Sequence, residues 1–180
     1  MAHQQQQDYL SSVRNKFTDR FKNCNVLDIG SLDINGNNQY LFEGDYTYVG
    51  VDIGPGPNVD VICKGHEYTS ETQFDIVVSS ECFEHDPFYK DTILNAIKLT
   101  KPGGIFTFTC ATTGRAEHGT KRTGSGWASP HTTEQWDDYY KNLTEEDIRE
   151  FLDVDNIFSD YEFQSNVTTS FDLYFYGIKK

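Results

Sequence analysis

Asp28, Gly30 and Ser31, in the run Asp28-Ile29-Gly30-Ser31, and Asp52, closing Val49-Gly50-Val51-Asp52, are residue types that can hold a polar, sugar-bearing ligand. Gly30 permits a sharp turn and brings bare backbone close to a ligand. Gly36, just before Asn37 and Asn38, suits the opening of a helix whose free N–H groups face an anion. Asp52 follows Gly30 at roughly the 20-residue spacing at which an acid bonds ribose hydroxyls. A nucleoside-bearing ligand is the natural occupant. The G-x-G-x-x-G pattern is absent, because Leu32 and Asp33 stand where backbone should approach a pyrophosphate, and Asp33 would repel one.

Such groups act together only if rigid elements hold them on one rim. Val26, Leu27 and Ile29 form an apolar run halted by Gly30, and Tyr46 to Val51 form a second halted at Asp52. Both read as buried parallel strands. In an open α/β sheet the carboxyl ends of the strands line the ligand crevice. A third short strand is expected over Val59–Ile62, a fourth over Asp75–Ser79 and a fifth over Ile105–Thr109. The fourth exits through Ser80-Glu81-Cys82-Phe83-Glu84-His85-Asp86. His85 is a candidate general base, since an unperturbed imidazole titrates at about 6.5. Glu84 and Asp86 could orient its ring or raise its pKa, and His118 is the competing candidate. No metal site is indicated, because the acids, Cys82 and His85 lack a helix-borne H-x-x-x-H or a second group at matching spacing.

Four motifs in order resemble those of the class I S-adenosylmethionine-dependent methyltransferases: Asp28-Ile29-Gly30-Ser31 with Asn35-Gly36, then Val49-Gly50-Val51-Asp52, then Phe74 to His85, then Lys101-Pro102-Gly103-Gly104 before Ile105. There is a looser similarity to small methyltransferases of saccharide pathways. The resemblance implies a Rossmann-like three-layer α/β/α sandwich, with a mostly parallel seven-stranded sheet ending in an antiparallel hairpin. It implies S-adenosylmethionine as cofactor, held by Asp28, Gly30, Ser31, Gly36, Asp52, Ile53, Gly65, His66, Ser80 and Glu81. The chain keeps Gly30 and Gly36 where the family loop has three glycines, and Lys64 stands where many relatives carry an acid. His66 is either an adenine contact or an exposed loop histidine.

The 180 residues suit one domain, 1–180, able to bury a core. With 13 Phe and 11 Tyr that core is expected to be aromatic-rich. A formal charge of −13 argues against a nucleic-acid surface, which needs clustered Lys and Arg. Cys24, Cys63, Cys82 and Cys110 show no C-x-x-C spacing, so free thiols in a reducing compartment are expected. With no apolar leader and no run long enough to span a bilayer, a soluble cytoplasmic protein is expected.

Residues 1–7 read as a mobile, Gln-rich leader. Tyr9, Leu10, Val13, Phe17 and Phe21 then recur at helical spacing, for a helix that covers the sheet edge or lids the cofactor. Pro87 opens a helix to about Leu99. Residues 110–142 lack periodicity but carry Trp127, Trp136, Tyr139 and Tyr140. This segment either walls the substrate pocket, with Trp127, Trp136 and Tyr139 contacting an acceptor, or folds over its own aromatic cluster. Thr144-Glu145-Glu146-Asp147 resembles a capping box opening a helix to Leu152, and strands over Phe158–Gln164 and Ser170–Ile178 read as a hairpin.

The leading expectation is methyl transfer to oxygen or nitrogen of a small-molecule or saccharide acceptor. The Asn/Asp-Pro-Pro-Tyr/Phe and Pro-Cys signatures of DNA methyltransferases are absent, and nucleic acid and membrane are not expected partners. An NAD-dependent oxidoreductase and a non-catalytic cofactor-binding or partner-binding domain are the alternatives. Oligomeric state is not legible.

Overall fold

In the computed structural model, which describes residues 3–180, the first apolar run becomes β1 (Asn25–Ile29), an inner strand of the sheet. It pairs in parallel with β2 (Thr47–Asp52) on one side, Leu27 opposite Val49, and with β4 (Phe74–Ser80) on the other, Leu27 opposite Val77. Beyond them lie β3 (Val61–Ile62), next to β2, and β5 (Thr100–Ala111), next to β4. The chain ends in the expected antiparallel hairpin, β6 (Phe158–Asn166) and β7 (Asp172–Lys179), with β7 inserted against β5. The seven-stranded order is β3-β2-β1-β4-β5-β7-β6. Connections leave β1 towards β2 and later return on its other side at β4, so the carboxyl ends of β1 and β4 flank the topological switch where an open α/β sheet binds ligands.

Period-two alternation sends neighbouring residues of each strand to opposite layers. Val26, Ile76 and Val78 pack with Tyr9, Leu10 and Val13 of α1 (Gln4–Lys16). Leu27, Ile29 and Val77 pack with Ile93, Ala96 and Ile97 of α2 (Tyr89–Leu99), and with Ile148, Leu152 and Val154 around α4 (Glu145–Arg149) and α5 (Val154–Ile157). The core is aromatic as expected. Phe83, Phe106, Phe108 and Phe175 are fully buried, each contributing roughly 1.5–3 kcal/mol, and Phe108 stacks on Phe175 at 5.3 Å.

Helix α1 covers the sheet rather than the ligand cleft, with Tyr9 stacked on Tyr174 at 4.6 Å. It starts earlier than its apolar pattern predicts. Residues 4–7, expected in a mobile leader, form its first turn, and buried Gln6 donates to Thr109 Oγ1. Met1 and Ala2 lie outside the described residues. A second difference lies after Gly36, where only a single 3₁₀ turn forms, Asn38–Leu41, with the Asn37 side chain accepting from the Gln39 amide at 3.0 Å. Asp33 accepts from the Gly36 amide at 2.7 Å and from Asn37 Nδ2 at 2.8 Å, so the loop satisfies itself.

The Thr144 capping box is formed as expected: Thr144 Oγ1 accepts from the Asp147 amide at 3.2 Å, and Asp147 Oδ2 from the Thr144 amide at 2.9 Å. No helix among the described residues is long and apolar enough to cross a membrane.

Candidate active site

A cleft of about 930 Å³, part of it open to solvent, lies over the carboxyl ends of β1, β2 and β4. Asp28, Gly30, Ser31, Gly36, Asp52, Ile53, Gly65, Ser80, Glu81 and His85 all line it. At the end of β1 the chain turns at Gly30 with φ +77°, and a Cβ there would sit 2.5 Å from Cys82 Sγ. Only glycine lets the β1 and β4 exits approach this closely. Asp28 is buried. Its Oδ2 accepts from Tyr48 Oη and, at 3.1 Å, from Asn38 Nδ2, while Oδ1 has no partner. Burial pushes its pKa up to about 6, against those two hydrogen bonds, and the nearby Asp52 adds a smaller push. Ser31 Oγ is likewise buried without a partner.

Asp52 closes β2, its carboxylate accepting from the Leu32 amide at 3.2 Å and the Gly54 amide at 3.4 Å, and burial raises its pKa. Each oxygen keeps a lone pair for a ligand hydroxyl. The turn after it is roofed by the middle of the 110–142 segment, where α3 (Thr132–Gln135) follows an irregular stretch. His131 Nε2 contacts Pro55 O at 3.0 Å, and Gln135 Nε2 donates to Ile53 O at 3.0 Å. A Cβ on Gly54 would lie 2.3 Å from the His131 ring, so the roof rests on bare backbone.

At the exit of β4, Glu81 occupies the left-handed region with φ +52°, a strained conformation for a residue with a side chain. Its carboxylate lies 3.4 Å from Thr109 Oγ1 and 3.7 Å from Arg115. Glu84 is fully buried in the following 3₁₀ turn, and burial together with the adjacent Glu81 charge raises its pKa well above the carboxylate range. His85 lines the cleft, but burial and the facing His118 push its pKa down to about 3. The expectation of a near-neutral imidazole raised by Glu84 and Asp86 is therefore corrected. His85 is neutral at physiological pH and only weakly basic.

Four residues named from sequence stand away from the cleft. Trp127 is 60% exposed and Tyr139 is half-buried outside the lining, so of the three aromatic acceptor candidates only Trp136 faces the cleft. His66 is neither an exposed loop histidine nor part of the lining. It packs on Phe88 at 4.5 Å, and Phe88 in turn meets Trp136 edge-on at 6.1 Å. His118 lies behind His85, the two ring centroids 5.2 Å apart, with its Nδ1 within 3.2 Å of both Ala116 O and Tyr140 Oη, and burial lowers its pKa to about 4. Elsewhere the segment bonds within itself, Tyr140 Oη donating to Asn142 Oδ1 at 2.9 Å, and to the neighbouring elements, Arg115 donating to Asp172 at 2.9 Å and the Lys141 amide to Glu84 O at 2.8 Å. Sequence reading missed Asn38, Cys82, Ala128, Pro130 and His131 in the lining. A capping Asn next to Gly36 was the one local signal. The others arrive through contacts distant in sequence.

Sheet order, hairpin and cleft define a Rossmann-like methyltransferase architecture, and comparison with known proteins agrees. A family model described as a methyltransferase domain matches residues 1–152. The chain belongs to that family and is a methyltransferase of the S-adenosylmethionine-dependent kind. None of the curated proteins matches its sequence. Among solved structures, the 1,6-didemethyltoxoflavin-N1-methyltransferase of Burkholderia thailandensis, bound to 1,6-didemethyltoxoflavin and S-adenosylhomocysteine, superposes with a TM-score of 0.63 at 19% identity, over 95% of this chain and 76% of that one. Magnesium protoporphyrin IX methyltransferase from Synechocystis, with bound S-adenosylmethionine, gives 0.61 at 12% identity over 97% and 79%. The N-methyltransferase NodS of Bradyrhizobium japonicum, with S-adenosylhomocysteine, gives 0.59 at 13% over 96% and 86%. At these identities the likeness is one of fold.

Proposed function

We propose that this chain transfers the methyl group of S-adenosylmethionine to an oxygen or nitrogen atom of a small-molecule or saccharide acceptor in the cytoplasm. The observation that carries the reading is a pair of buried, unpartnered polar atoms, Asp28 Oδ1 and Ser31 Oγ, at the turn where Gly30 brings bare backbone to the cleft. Unpaired buried groups of this kind cost roughly 1–3 kcal/mol each until something bonds them. An ammonium-bearing amino-acid end fits there, and Asp52 on the neighbouring strand suits ribose hydroxyls. The self-bonded loop after Gly36 offers no full helix N-terminus for a diphosphate, which disfavours NAD.

The cofactor supplies a sulfonium methyl, already activated as an electrophile. This chain's residues then chiefly position an acceptor in line. The acceptor heteroatom would have to lie in line with that methyl group, and its proton would pass to a base or to water. His85, neutral and beside the β4 exit, orients the acceptor by hydrogen bonding, and Trp136 offers it a face. The negative charge and acid-lined rim favour a neutral or cationic acceptor over nucleic acid. Four free cysteines suit a reducing compartment.

Parallel calorimetric titrations with S-adenosylhomocysteine and NAD test the cofactor site, with binding of the first alone expected. Labelled methyl transfer to a panel of amines, heterocycles, phenols and sugars then assigns the acceptor. Tight NAD binding without S-adenosylhomocysteine binding would overturn the reading.

A further inference from the structure

Behind the cleft wall, three residues converge, each with a buried polar side-chain atom that no ion pair or hydrogen bond accounts for. Glu84 is 0% exposed and neither carboxylate oxygen has a partner, His85 Nδ1 is buried without one, and so is His118 Nε2. One ligand-capable atom from each of the three residues lies within 4.8 Å of those from the other two. Two separate segments build the cluster. Glu84 and His85 come from the 3₁₀ turn Phe83–His85 after β4, and His118 from the loop after β5, held by the contacts of its Nδ1 with Ala116 O and Tyr140 Oη. A ring nitrogen fixed by an outer partner while the other nitrogen stays free is the arrangement that orients a metal-bound histidine.

From this geometry we propose that Glu84, His85 and His118 form a binding site for one divalent transition cation. A cation about 2.1 Å from each ligand holds ligand atoms roughly 3–3.5 Å apart, which these side chains reach with shifts of about 1 Å or less. Two imidazoles and one carboxylate suit zinc, cobalt or iron better than magnesium or manganese, which prefer oxygen ligands. The neighbouring cluster of His3, Glu81 and Asp172 makes the contrast. There Asp172 already accepts from Arg115 at 2.9 Å and Tyr174 at 2.9 Å, and lies 3.1 Å from His3, so its charge is answered without a metal.

Three protein ligands leave at least one coordination position free. The site adjoins the cleft through His85, so an acceptor bearing a hydroxyl oxygen could occupy that position. Such an oxygen loses its proton more readily on a cation. This use of the site deepens the methyl-transfer reading and rests on it, whereas cation binding itself does not.

The test takes chelator-treated full-length protein and titrates it with Zn²⁺ by calorimetry and with Co²⁺ by visible absorption, while S-adenosylhomocysteine binding is measured on the same samples. One equivalent per chain is expected, with a four- or five-coordinate Co²⁺ spectrum. Glu84→Gln, which keeps the shape and removes the charge, and His118→Ala, in a loop, should each weaken binding more than about tenfold with thermal melts showing folded protein. Absence of stoichiometric binding overturns the site, as does binding unchanged in either variant. Binding lost instead in Asp172→Asn moves the metal to the other cluster and equally overturns it. Metal binding that fails while S-adenosylhomocysteine binds refutes this inference alone, and the converse refutes only the cofactor assignment.

Discussion

Replacing Asp28 by Asn should remove a pH-dependent loss of stability. The folded-state pKa is about 6 against an ordinary 3.8, a rise of about 2 units. At about 1.4 kcal/mol per unit this amounts to about 3 kcal/mol. The carboxyl is only 1% exposed, so solvent screening takes little from that figure. The sign follows from which state sheds its proton first. At pH values well below about 4 both folded and unfolded chains carry the proton, and the group's full contribution is present. As the pH rises from about 4 through about 6 the unfolded chain ionises before the folded one, and stability falls until the step is complete near pH 7.

Urea unfolding of both proteins at half-unit intervals from pH 4 to 8 isolates this group, since the other buried carboxylates are common to both chains. The stability of the native protein minus that of Asp28→Asn should fall by about 2.5 kcal/mol across the window, the rest of the step lying below pH 4. A constant offset, of either sign, refutes the reasoning because it would mean that Asp28 titrates alike in both states. Saturating S-adenosylhomocysteine, whose ammonium favours the ionised carboxylate, should shrink the step. Cofactor affinity should correspondingly tighten as the pH rises through about 6.

Asp52→Ala should weaken S-adenosylhomocysteine binding by about 1–3 kcal/mol, and unchanged affinity in titration calorimetry would remove the ribose assignment. Gly30→Val faces both a φ of +77° and a 2.5 Å approach to Cys82 Sγ, so cofactor binding should be abolished while the circular-dichroism spectrum stays that of the folded sheet. Normal binding would place the cofactor elsewhere. Trp136→Ala should lower methyl transfer more than cofactor affinity, whereas Trp127→Ala should leave both within about twofold, since Trp127 points to solvent. Equal losses of transfer and affinity in the first variant would make Trp136 part of a cofactor lid.

The parts of the fold that were legible are those whose signal is local. Val26, Leu27 and Ile29 stopped by Gly30 read as a short buried strand, and the Thr144 capping box announces its helix through two hydrogen bonds within four residues. The start of α1 was not legible, because what holds Gln6 inside is a hydrogen bond to Thr109, a partner separated by most of the chain. No hydrophobic period reports such a burial. The loop after Gly36 differs for a related reason, since Asp33 also accepts from the Gly36 amide and the Asn37 side-chain amide and so closes a local turn there.

At the site the same division separates the rim from the roof and back wall. Asp28, Gly30 and Asp52 sit at strand ends, so predicting the strands placed them. His131 reaches the cleft only because its ring lies on Gly54 and contacts Pro55 O, 76 residues away in the chain. The sequence offers no pattern for that approach, whereas Trp127, which has the right chemistry, points to solvent. His85 shows the sharper limit. Its identity and position suggested an acid–base group of ordinary pKa, but burial between the β4 exit and the His118 loop lowers that pKa to about 3. Adjacent carboxylates in the sequence do not guarantee a charge partner in space. Glu84 has its own burial to answer, and its oxygens and the His85 Nδ1 both lack a partner. Residue type and spacing can nominate a catalytic group, whereas its protonation state is decided by the walls around it.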